Sequence, residues 1–545
     1  MTSSTKPTKI VARIAFVGSG PGDPSLMTVR ATQLLREADV VIIDQIAREE
    51  FVALFARPDV EIVDAGHGET GQPLTVASRA KLVVRTAKAA ARPDSQPLVV
   101  RLMDGDPATF NGLAEEAVAC HRAEIGFEIV PGVSSVSAVP AYAGIPLTAN
   151  SSRAMHIVSA GDDRTDWAAC TAADSTVVVL GAADALPNGL AKLLAAGRAP
   201  ETPVALSTDG TTIHQITTVT TLGEVVAQLR GNKLAAPTIA VVGSVVEMRE
   251  QLSWWENKPL FGWNILVPRT KDQASTMTDR LASYGASSDV VPTISVEPPR
   301  TPQQMERAIK GLVTGRYEWI GFTSANAVRA VREKFVEFGL DARAFAGLKI
   351  AAVGGVTADA LREWGLEPDL VPTGEQSAHG LLEGWPEYDE LLDPINRVFL
   401  PRADIATDTL VAGLQEIGWE VDDVTAYRTV RAAPPAPHVR EAIKTGKFDA
   451  VCFTSSSTVR NLVGIAGKPH TTTVVACIGP ATAKTAEEHG LRVDVLAAEP
   501  SATALVDALA DYGRGLALSA AENGEPTRRP SERKAAARRK AKASH

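Results

Sequence analysis

A chain of 545 residues is longer than one hydrophobic core usually supports, so the sequence predicts two or more domains. Hydrophobic residues make up 45% and charged residues 22% of the chain, which is typical of globular proteins and excludes wholesale disorder. The net charge of −9 argues against a general nucleic-acid-binding role. Four cysteines without a C-x-x-C pair indicate neither a disulfide framework nor a zinc site, and a reducing cytoplasm fits them.

The two ends of the chain differ in composition from its middle. Residues 1–9 are polar and lack the apolar segment of a signal peptide, so we expect a flexible N-terminus. No apolar run approaches the ~18 residues that a membrane-spanning helix needs. Residues 516–545 become rich in Ala, Arg and Lys without apolar periodicity, which predicts a disordered basic tail. A solvated tail is the main interpretation, and an arm that binds anions or nucleic acid is the alternative.

Short β-branched runs alternate with amphipathic segments from residue 10 onward, which is typical of α/β proteins. The first examples are a run at 14–17, a helical stretch at 26–38 and a second run at 40–43. Residues 256–263 are predicted to link a first domain at 10–255 to a second at 264–515.

A glycine-rich loop at 18–24 follows the first predicted strand and precedes a helix. Glycines alone make this a weak signal. The motifs that follow are more specific: the apolar run ending at Asp44, the acidic turn at 104–107, the Pro-Gly-Val-Ser-Ser segment at 131–135 and the segment 141–148. In this order they resemble the tetrapyrrole (corrin/porphyrin) methylases, and most closely the uroporphyrinogen-III C-methyltransferases.

This resemblance implies a two-lobed α/β domain that binds S-adenosylmethionine between its lobes. Acidic side chains suit the amine and the ribose hydroxyls of that cofactor. A simple turn is the alternative interpretation of residues 105–107. The cofactor contacts implied by the resemblance are Pro21, Asp104, Gly105, Asp106, Thr109, Ser134, Ser135, Leu180 and Gly210.

The first half departs from the family pattern at three places. The Asp-Arg pair that follows the second strand is Asp44-Gln45 here, and the family's Gly-Lys-Arg is replaced by Ala-Gly-His-Gly at 65–68. The glycine-rich run after Thr109 is also altered. Asp44 remains as the expected proton acceptor, whereas His67 is either a proton donor or a loop residue without a catalytic role.

The second half contains an internal repeat, since residues 319–328 match 450–459 and residues 353–361 match 478–486. Each match places an apolar strand before a polar loop and a helix, which predicts two similar α/β lobes with parallel sheets and a ligand between them. Hydroxyls and N–H groups after a strand can receive anions, with helix N-capping as the alternative for each loop. The candidate hydroxyls are those of Thr323, Ser324, Thr357, Thr454, Ser455, Ser456 and Thr482.

Motifs spread across residues 267–506 resemble the uroporphyrinogen-III synthases. They include Val-Pro-Arg at 267–269, the repeated segments, Leu-Pro-Arg at 400–402 and Val-Thr-Ala-Tyr-Arg-Thr at 424–429. The resemblance implies one lobe built by both ends of the domain and another built by its middle, with hydroxymethylbilane in the cleft and no cofactor. Tyr427 matches the family tyrosine proposed to assist departure of the substrate hydroxyl, with a packed strand residue as the alternative. Arg269 and Arg402 are expected to bind substrate carboxylates, with surface ion pairs as the alternative.

Together, the two resemblances imply a bifunctional enzyme of tetrapyrrole biosynthesis. The second half is expected to cyclise hydroxymethylbilane to uroporphyrinogen III with inversion of ring D, and the first half to methylate that product towards precorrin-2. One alternative is a synthase joined to an inactive cofactor- or tetrapyrrole-binding domain, and another is a methylase for a different substrate. A cytoplasmic location, tetrapyrrole substrates, no metal, no nucleic-acid partner and a homodimer through the methylase domain complete these expectations.

Overall fold

A computed structural model describes residues 12–44, 49–68, 71–92, 95–181, 184–229 and 238–533. The predicted flexible N-terminus lies outside these residues, as do Gln45 and residues 534–545 of the predicted tail. The chain divides into two compact units. The first extends to Gly262 and includes Ser283–Ser287, and the second comprises Trp263–Ala282 and the chain from Ser288 onward.

The first lobe of the first unit is a parallel five-stranded sheet with the strand order β3-β2-β4-β1-β5. Its central strands are apolar except for Arg101 in β4, because buried residues cover both faces of the sheet. Parallel strands place their carboxyl ends at one edge, which is where loops of such folds bind ligands. The elements are β1 (Arg13–Gly18), α1 (Val29–Glu37), β2 (Val40–Ile43), α2 (Glu49–Phe55), β3 (Glu61–Asp64), α3 (Val76–Ala90), β4 (Leu98–Met103), α4 (Leu113–Arg122), β5 (Phe127–Val130) and α5 (Ser135–Tyr142).

The second lobe of the first unit has a mixed sheet with the order β6-β7-β10-β8-β9. The strands β6 and β7 are parallel, whereas β10 pairs antiparallel with both β7 and β8, and β8 pairs antiparallel with β9. Its core lies between the sheet and its helices. The elements are β6 (Ala154–Ser159), β7 (Ser175–Leu180), α6 (Leu186–Ala195), β8 (Pro203–Thr208), β9 (Ile216–Thr221), α7 (Leu222–Gln228), β10 (Thr238–Val242) and α8 (Arg249–Leu252).

The second unit contains one lobe built from both ends of its chain. The strand order is β12-β11-β18-β19-β20, and β11, β18, β19 and β20 run parallel. The strand β11 pairs with β18, about 185 residues later in the chain, so the two ends fold together. The elements are β11 (Asn264–Val267), α9 (Lys271–Ser283), β12 (Ser287–Val290), α15 (Pro437–Thr445), β18 (Ala450–Phe453), α16 (Ser456–Ala466), β19 (Val474–Cys477), α17 (Pro480–Glu488), β20 (Val495–Leu496) and α18 (Ala502–Glu522).

The middle of the chain builds the other lobe, as the repeat and the resemblance predict. Its strand order is β13-β17-β16-β14-β15, and only β13 among the pairs described runs antiparallel to its neighbour. The α/β fold class with two lobes in each unit is therefore confirmed. The elements are β13 (Ile294–Glu297), α10 (Pro302–Val313), β14 (Trp319–Phe322), α11 (Ala325–Glu337), β15 (Lys349–Ala352), α12 (Gly355–Glu363), α13 (Ala378–Gly384), β16 (Arg397–Ala403), α14 (Thr409–Glu416) and β17 (Glu420–Arg431).

The disordered tail was predicted to start at residue 516, but helix α18 extends beyond that residue. This helix continues to Glu522, because residues 516–522 are mainly Ala and Leu, which are strong helix formers. A further helical turn follows at 530–533. Among the described residues, no helix has the length and hydrophobicity needed to cross a bilayer.

Candidate active sites

Three glycines let the loops after β1, β4 and β5 converge in the first unit. A Cβ atom would lie 2.1 Å from the Gly105 carbonyl oxygen if placed on Gly132 and 2.5 Å from it if placed on Gly18. The backbones of Gly20 and Gly105 exchange two N–H···O bonds, of 3.2 and 2.9 Å. The structure thus brings the predicted residue Gly105 beside the loop of Pro21 at the carboxyl edge of the sheet.

Asp106 organises this junction. Its Oδ1 accepts a hydrogen bond from the Ala108 N–H at 2.8 Å, and its Oδ2 accepts one from the Gly132 N–H at 3.1 Å. The Asn111 side chain donates to the carbonyl oxygens of Asp104 and Asp106, at 2.7 and 2.6 Å. Asp106 therefore positions this junction through its bonds to backbone N–H groups, and its contact with the cofactor stays a prediction.

The other predicted cofactor residues lie around the same junction or on the second lobe. The Thr109 hydroxyl donates to Asp106 Oδ1 at 3.4 Å. Ser134 caps helix α5, and Ser135 is its first residue, with the Ser135 nitrogen 3.4 Å from where a Gly105 Cβ would lie. Leu180 ends strand β7 and is half-buried.

Loops from the two lobes of the first unit touch each other at Gly210. A Cβ on Gly22 would lie 2.9 Å from the Gly210 carbonyl oxygen, and the Asp23 N–H donates to the Thr211 hydroxyl at 3.1 Å. Two of the loops that the resemblance assigns to the cofactor, those of Pro21 and Gly210, are therefore in direct contact.

A buried charge network surrounds Asp44. The Arg101 guanidinium donates to Asp44 Oδ1 at 2.6 Å and to both Glu116 oxygens, at 2.8 and 3.2 Å. Arg79 lies 3.4 Å from Glu116 and 3.8 Å from Asp44. Burial disfavours the charge on Arg101, but its hydrogen bonds and charge interactions with Glu116 and Asp44 raise the pKa of the guanidinium overall. Asp44 is thus held in one orientation by the Arg101 guanidinium.

The altered loop that contains His67 still packs against Asp44 through Gly66. A Cβ on Gly66 would lie 1.9 Å from the Asp44 carbonyl oxygen. The His67 side chain is 53% exposed, and its Nδ1 lies 3.7 Å from the Asp64 carboxylate. These contacts are those of a loop histidine, the second of the two interpretations of His67.

In the second unit, the predicted catalytic tyrosine meets one of the predicted hydroxyl loops. The Tyr427 hydroxyl on β17 lies 2.9 Å from the Ser324 hydroxyl, which follows β14. The Ser324 hydroxyl also accepts a hydrogen bond from the Ala327 N–H and so caps helix α11. The capping interpretation of Ser324 is therefore observed, while its contact with a ligand stays a prediction. Neighbouring Thr323 is half-buried, and Thr357 lies in the first turn of α12 after β15.

The corresponding loops of the other lobe are joined by hydroxyl contacts. Ser455 caps helix α16 with a capping box to Thr458. The Ser456 hydroxyl donates to the Ala481 carbonyl oxygen at 3.0 Å, which links the loop after β18 to the loop after β19 that carries Thr482. The half-buried Thr454 precedes this capping box. The predicted hydroxyls therefore form two groups, one at the carboxyl edge of each sheet.

Arg402 does not have the role that its motif suggested. Its guanidinium donates to the carboxylates of Asp423 and Asp408 and to the Thr407 carbonyl oxygen. The prediction that Arg402 binds a substrate carboxylate is corrected, because these internal partners engage its donors and its side chain is only 8% exposed.

Arg269 follows β11 at the same sheet edge as Thr454, since β11 and β18 are parallel neighbours. No carboxylate among the described residues pairs with its guanidinium, and burial lowers the pKa of that group. A half-buried cation without a carboxylate partner is suited to receive an anionic ligand.

Sequence reasoning missed the network of Arg79, Arg101 and Glu116. Arg101 interrupts an otherwise apolar strand, which is a readable signal because a buried cation requires a buried anion. Its partner on α4 cannot be identified without knowing that α4 covers this face of the sheet.

Two family models match the chain. The model for tetrapyrrole (corrin/porphyrin) methylases matches residues 13–226, and the model for the uroporphyrinogen-III synthase HemD matches residues 275–507. A porphyrin biosynthesis protein HemD of Ruminiclostridium josui is 30% identical over 512 residues, which cover 92% of this chain and 98% of that protein. The chain belongs to this HemD family.

Other relatives match the first unit of this HemD-family chain. An S-adenosyl-L-methionine-dependent uroporphyrinogen III methyltransferase of Methanosarcina barkeri is 35% identical over 247 residues, which cover 44% of this chain and 94% of that protein. A siroheme synthase of Azotobacter vinelandii is 36% identical over 255 residues, and the match spans 46% of this chain and about half, 53%, of that protein. The chain therefore joins the methyltransferase and synthase families of tetrapyrrole biosynthesis.

Proposed function

We propose that the second unit cyclises hydroxymethylbilane to uroporphyrinogen III with inversion of ring D, and that the first unit methylates this product towards precorrin-2. The observation that carries the first step is the hydrogen-bonded pair of Tyr427 and Ser324 at the carboxyl edge of its sheet. The observation that supports the second is the contact between the Pro21 and Gly210 loops of the two methylase lobes.

In the synthase unit, the Tyr427 hydroxyl donates a proton to the departing hydroxyl of the substrate, which leaves as water. The resulting electrophilic methylene is attacked by the substituted carbon of ring D, and rearrangement of the spiro intermediate inverts that ring. The remaining task of the protein is to hold a flexible polyanion in the reactive geometry. The loop N–H groups and hydroxyls at Thr323, Thr357, Thr454, Ser455, Ser456 and Thr482 serve this purpose, and this step uses no cofactor.

Arg269 is proposed to bind a substrate carboxylate. Its guanidinium is half-buried beside the Thr454 loop and has no carboxylate partner among the described residues. A charge-assisted, bidentate contact with a carboxylate restores the solvation that burial removes.

The change Arg269→Met is expected to raise KM for hydroxymethylbilane about tenfold while kcat changes little, because the lost contact is of the kind that binds the substrate throughout the reaction. Steady-state kinetics of uroporphyrinogen III formation measures both constants. Arg343→Met is the matched control, since Arg343 is an exposed arginine paired with Asp341 on the opposite lobe. Equal KM values for Arg269→Met and the unaltered chain would contradict the assignment.

In the methylase unit, S-adenosylmethionine supplies an electrophilic methyl group. The proposal is supported by the glycine junction, where the backbones of three loops approach closely at the carboxyl edge of the sheet, and by the similarity to the S-adenosyl-L-methionine-dependent methyltransferase of Methanosarcina barkeri. Asp44 accepts the proton that the substrate carbon loses, and Arg101 orients it. The residues proposed to hold the cofactor are Pro21, Asp104, Gly105, Asp106, Thr109, Ser134, Ser135, Leu180 and Gly210.

A second candidate is a methylase unit that binds cofactor or tetrapyrrole without turnover. Two observations favour it: His67 replaces the lysine of the family motif, and Asp44 is already ion-paired with Arg101. The Asp44 oxygen that accepts the Arg101 hydrogen bond is less available to a substrate proton.

A coupled assay distinguishes these candidates. Full-length protein receives freshly generated hydroxymethylbilane with or without S-adenosylmethionine, and the products are separated by isomer and weighed by mass spectrometry. We expect uroporphyrinogen III in both samples and methylated products only with the cofactor. The III isomer without any mass gain would support the second candidate, and formation of the I isomer alone would contradict the synthase assignment.

The same proposal places the protein in the cytoplasm, acting on small tetrapyrroles without nucleic-acid or membrane partners, as a homodimer through its methylase unit. An exposed apolar surface on the first lobe supports the homodimer, because large exposed apolar patches often mark interfaces. Phe110, Val118, Phe127 and Ile129 are its most exposed members and line a groove of about 920 Å³.

A further inference from the structure

The segment Trp254–Lys258, called here the tryptophan segment, packs onto the loops of the proposed cofactor site. The Trp255 indole N–H donates to the Thr212 carbonyl oxygen at 2.9 Å, and the Trp254 indole N–H donates to the Ala141 carbonyl oxygen at 3.0 Å. Residues 256–263 were predicted to be a linker, and these contacts show that the stretch from Trp254 is anchored at its start. It lies beyond the part of the chain, 13–226, that matches the methylase family.

A chain of hydrogen bonds leads from this segment to the turn that contains Gly210. Glu256 accepts from the Arg249 guanidinium at 2.8 Å and from the Gln215 side-chain amide at 2.8 Å. The Gln215 oxygen in turn accepts the N–H of Thr211 at 2.7 Å. Gln215 and Thr211 are both about 1% exposed, so neither has water as a ready replacement partner.

The turn at the end of this chain has a strained backbone. Asp209 and Thr211 adopt φ angles of +48° and +67°, in the left-handed region that disfavours residues other than glycine, and β-branched ones such as threonine most of all. Such conformations persist only where surrounding contacts hold them, and they are concentrated at functional sites. Gly210 between them has no room for a side chain, because a Cβ there would lie 2.4 Å from a Val139 methyl.

The tryptophan segment also supports the other loop of the proposed site. The Tyr142 ring packs against Trp255 and Trp254, with centroid distances of 4.8 and 5.1 Å, and its hydroxyl donates to the Asp23 carboxylate at 2.9 Å. Asp23 then contacts Thr211 through its backbone N–H. The loop after β1 and the turn after β8 are thus both connected to this one segment.

We propose that Gln215 and Glu256 are positioning residues for S-adenosylmethionine, which hold the Asp209–Gly210–Thr211 turn in its strained, ligand-ready conformation. The tryptophan segment therefore belongs to the support of the methylase site. This inference rests on the proposed cofactor binding and deepens it. It follows that the cofactor affinity of the first unit depends on Gln215 and also on Glu256, which lies beyond residues 13–226.

The test measures S-adenosylhomocysteine binding to the full-length chain by isothermal titration calorimetry at 25 °C. Gln215→Met keeps the side-chain volume but removes both hydrogen bonds, and Glu256→Ala removes the acceptor of Gln215. We expect each change to weaken binding about tenfold, the scale of one or two lost buried hydrogen bonds. Glu256→Gln keeps an acceptor for Gln215 and is expected to bind within about threefold of the unaltered chain.

Asp163→Ala is the matched control, because it removes an exposed carboxylate paired with Lys192 on the same lobe. Hydrogen exchange of residues 209–212 is a second readout, measured without ligand at a temperature where the protein is folded. General destabilisation of the protein would not accelerate exchange in this turn alone. Exchange there should be faster in Gln215→Met, while strand β7 is unchanged.

Unchanged affinity and exchange in Gln215→Met and Glu256→Ala would overturn this inference and leave the proposed cofactor in place. No binding by the unaltered chain would remove the proposed cofactor and the inference with it. If Glu256→Ala fails to fold, Gln215→Met decides, since it preserves the packing and the Glu256–Arg249 ion pair.

Discussion

Replacing Arg101 by methionine is expected to destabilise the first unit by about 3–5 kcal/mol, the range for breaking a buried ion pair on one side. The Arg101 and Glu116 side chains have no exposed surface, and Asp44 shares the same guanidinium. The change therefore leaves Glu116 charged and buried with only Arg79, 3.4 Å away, to compensate it. Methionine fills much of the arginine volume, so the loss of charge pairing dominates over the loss of packing.

Urea unfolding followed by hydrogen exchange and mass spectrometry measures this loss separately in each unit. Strand β4 reports on the first unit, and strand β14 of the second unit serves as the internal control. The double change Arg101→Met with Glu116→Leu should recover part of the stability, because it removes the uncompensated charge. A loss below about 1 kcal/mol in the single variant would contradict a buried network, because ion pairs of that strength are solvated.

Tyr427→Phe is expected to lower kcat of uroporphyrinogen III formation about a hundredfold, the lower part of the range for loss of a positioned proton donor. KM should stay within about twofold, since the phenyl ring keeps its place in the apolar cluster that includes Phe322 and Phe399. The change removes the hydroxyl that lies 2.9 Å from the Ser324 hydroxyl. Ser324 then keeps its hydrogen bond from the Ala327 N–H, which caps α11. Initial rates with fresh hydroxymethylbilane, separated by isomer, provide the measurement.

Tyr317→Phe is the matched control for Tyr427→Phe. Tyr317 is also buried in this lobe, and its hydroxyl donates to Asp422 at 2.7 Å, which together with burial raises its pKa. It lies outside the proposed site, so its loss should leave kcat unchanged at a modest cost in stability. If both tyrosine variants lose activity equally, or if Tyr427→Phe retains more than half of it, Tyr427 is not the proton donor.

Local sequence patterns predicted most of the fold because strands, helices and polar loops depend on nearby residues. The repeat at 319–328 and 450–459 predicted two α/β lobes, and the structure contains them with Ser324 and Ser455 at equivalent helix starts. The motifs also predicted which loops carry the candidate sites. These features could be predicted from the order of residues along the chain, since each polar loop directly follows its own strand.

Only the tertiary structure decided which side chains are available to a ligand. Arg269 and Arg402 follow strands in similar motifs, yet Arg402 is engaged by Asp423 on the neighbouring strand while Arg269 has no such partner among the described residues. The pairing of Ser324 with Tyr427 joins residues 103 positions apart. Sequence determined the kind of residue at each loop, whereas strand order determined its neighbours. The chemistry of a charged or hydroxyl group depends on those neighbours, because burial and partners set whether it binds the protein itself or a substrate.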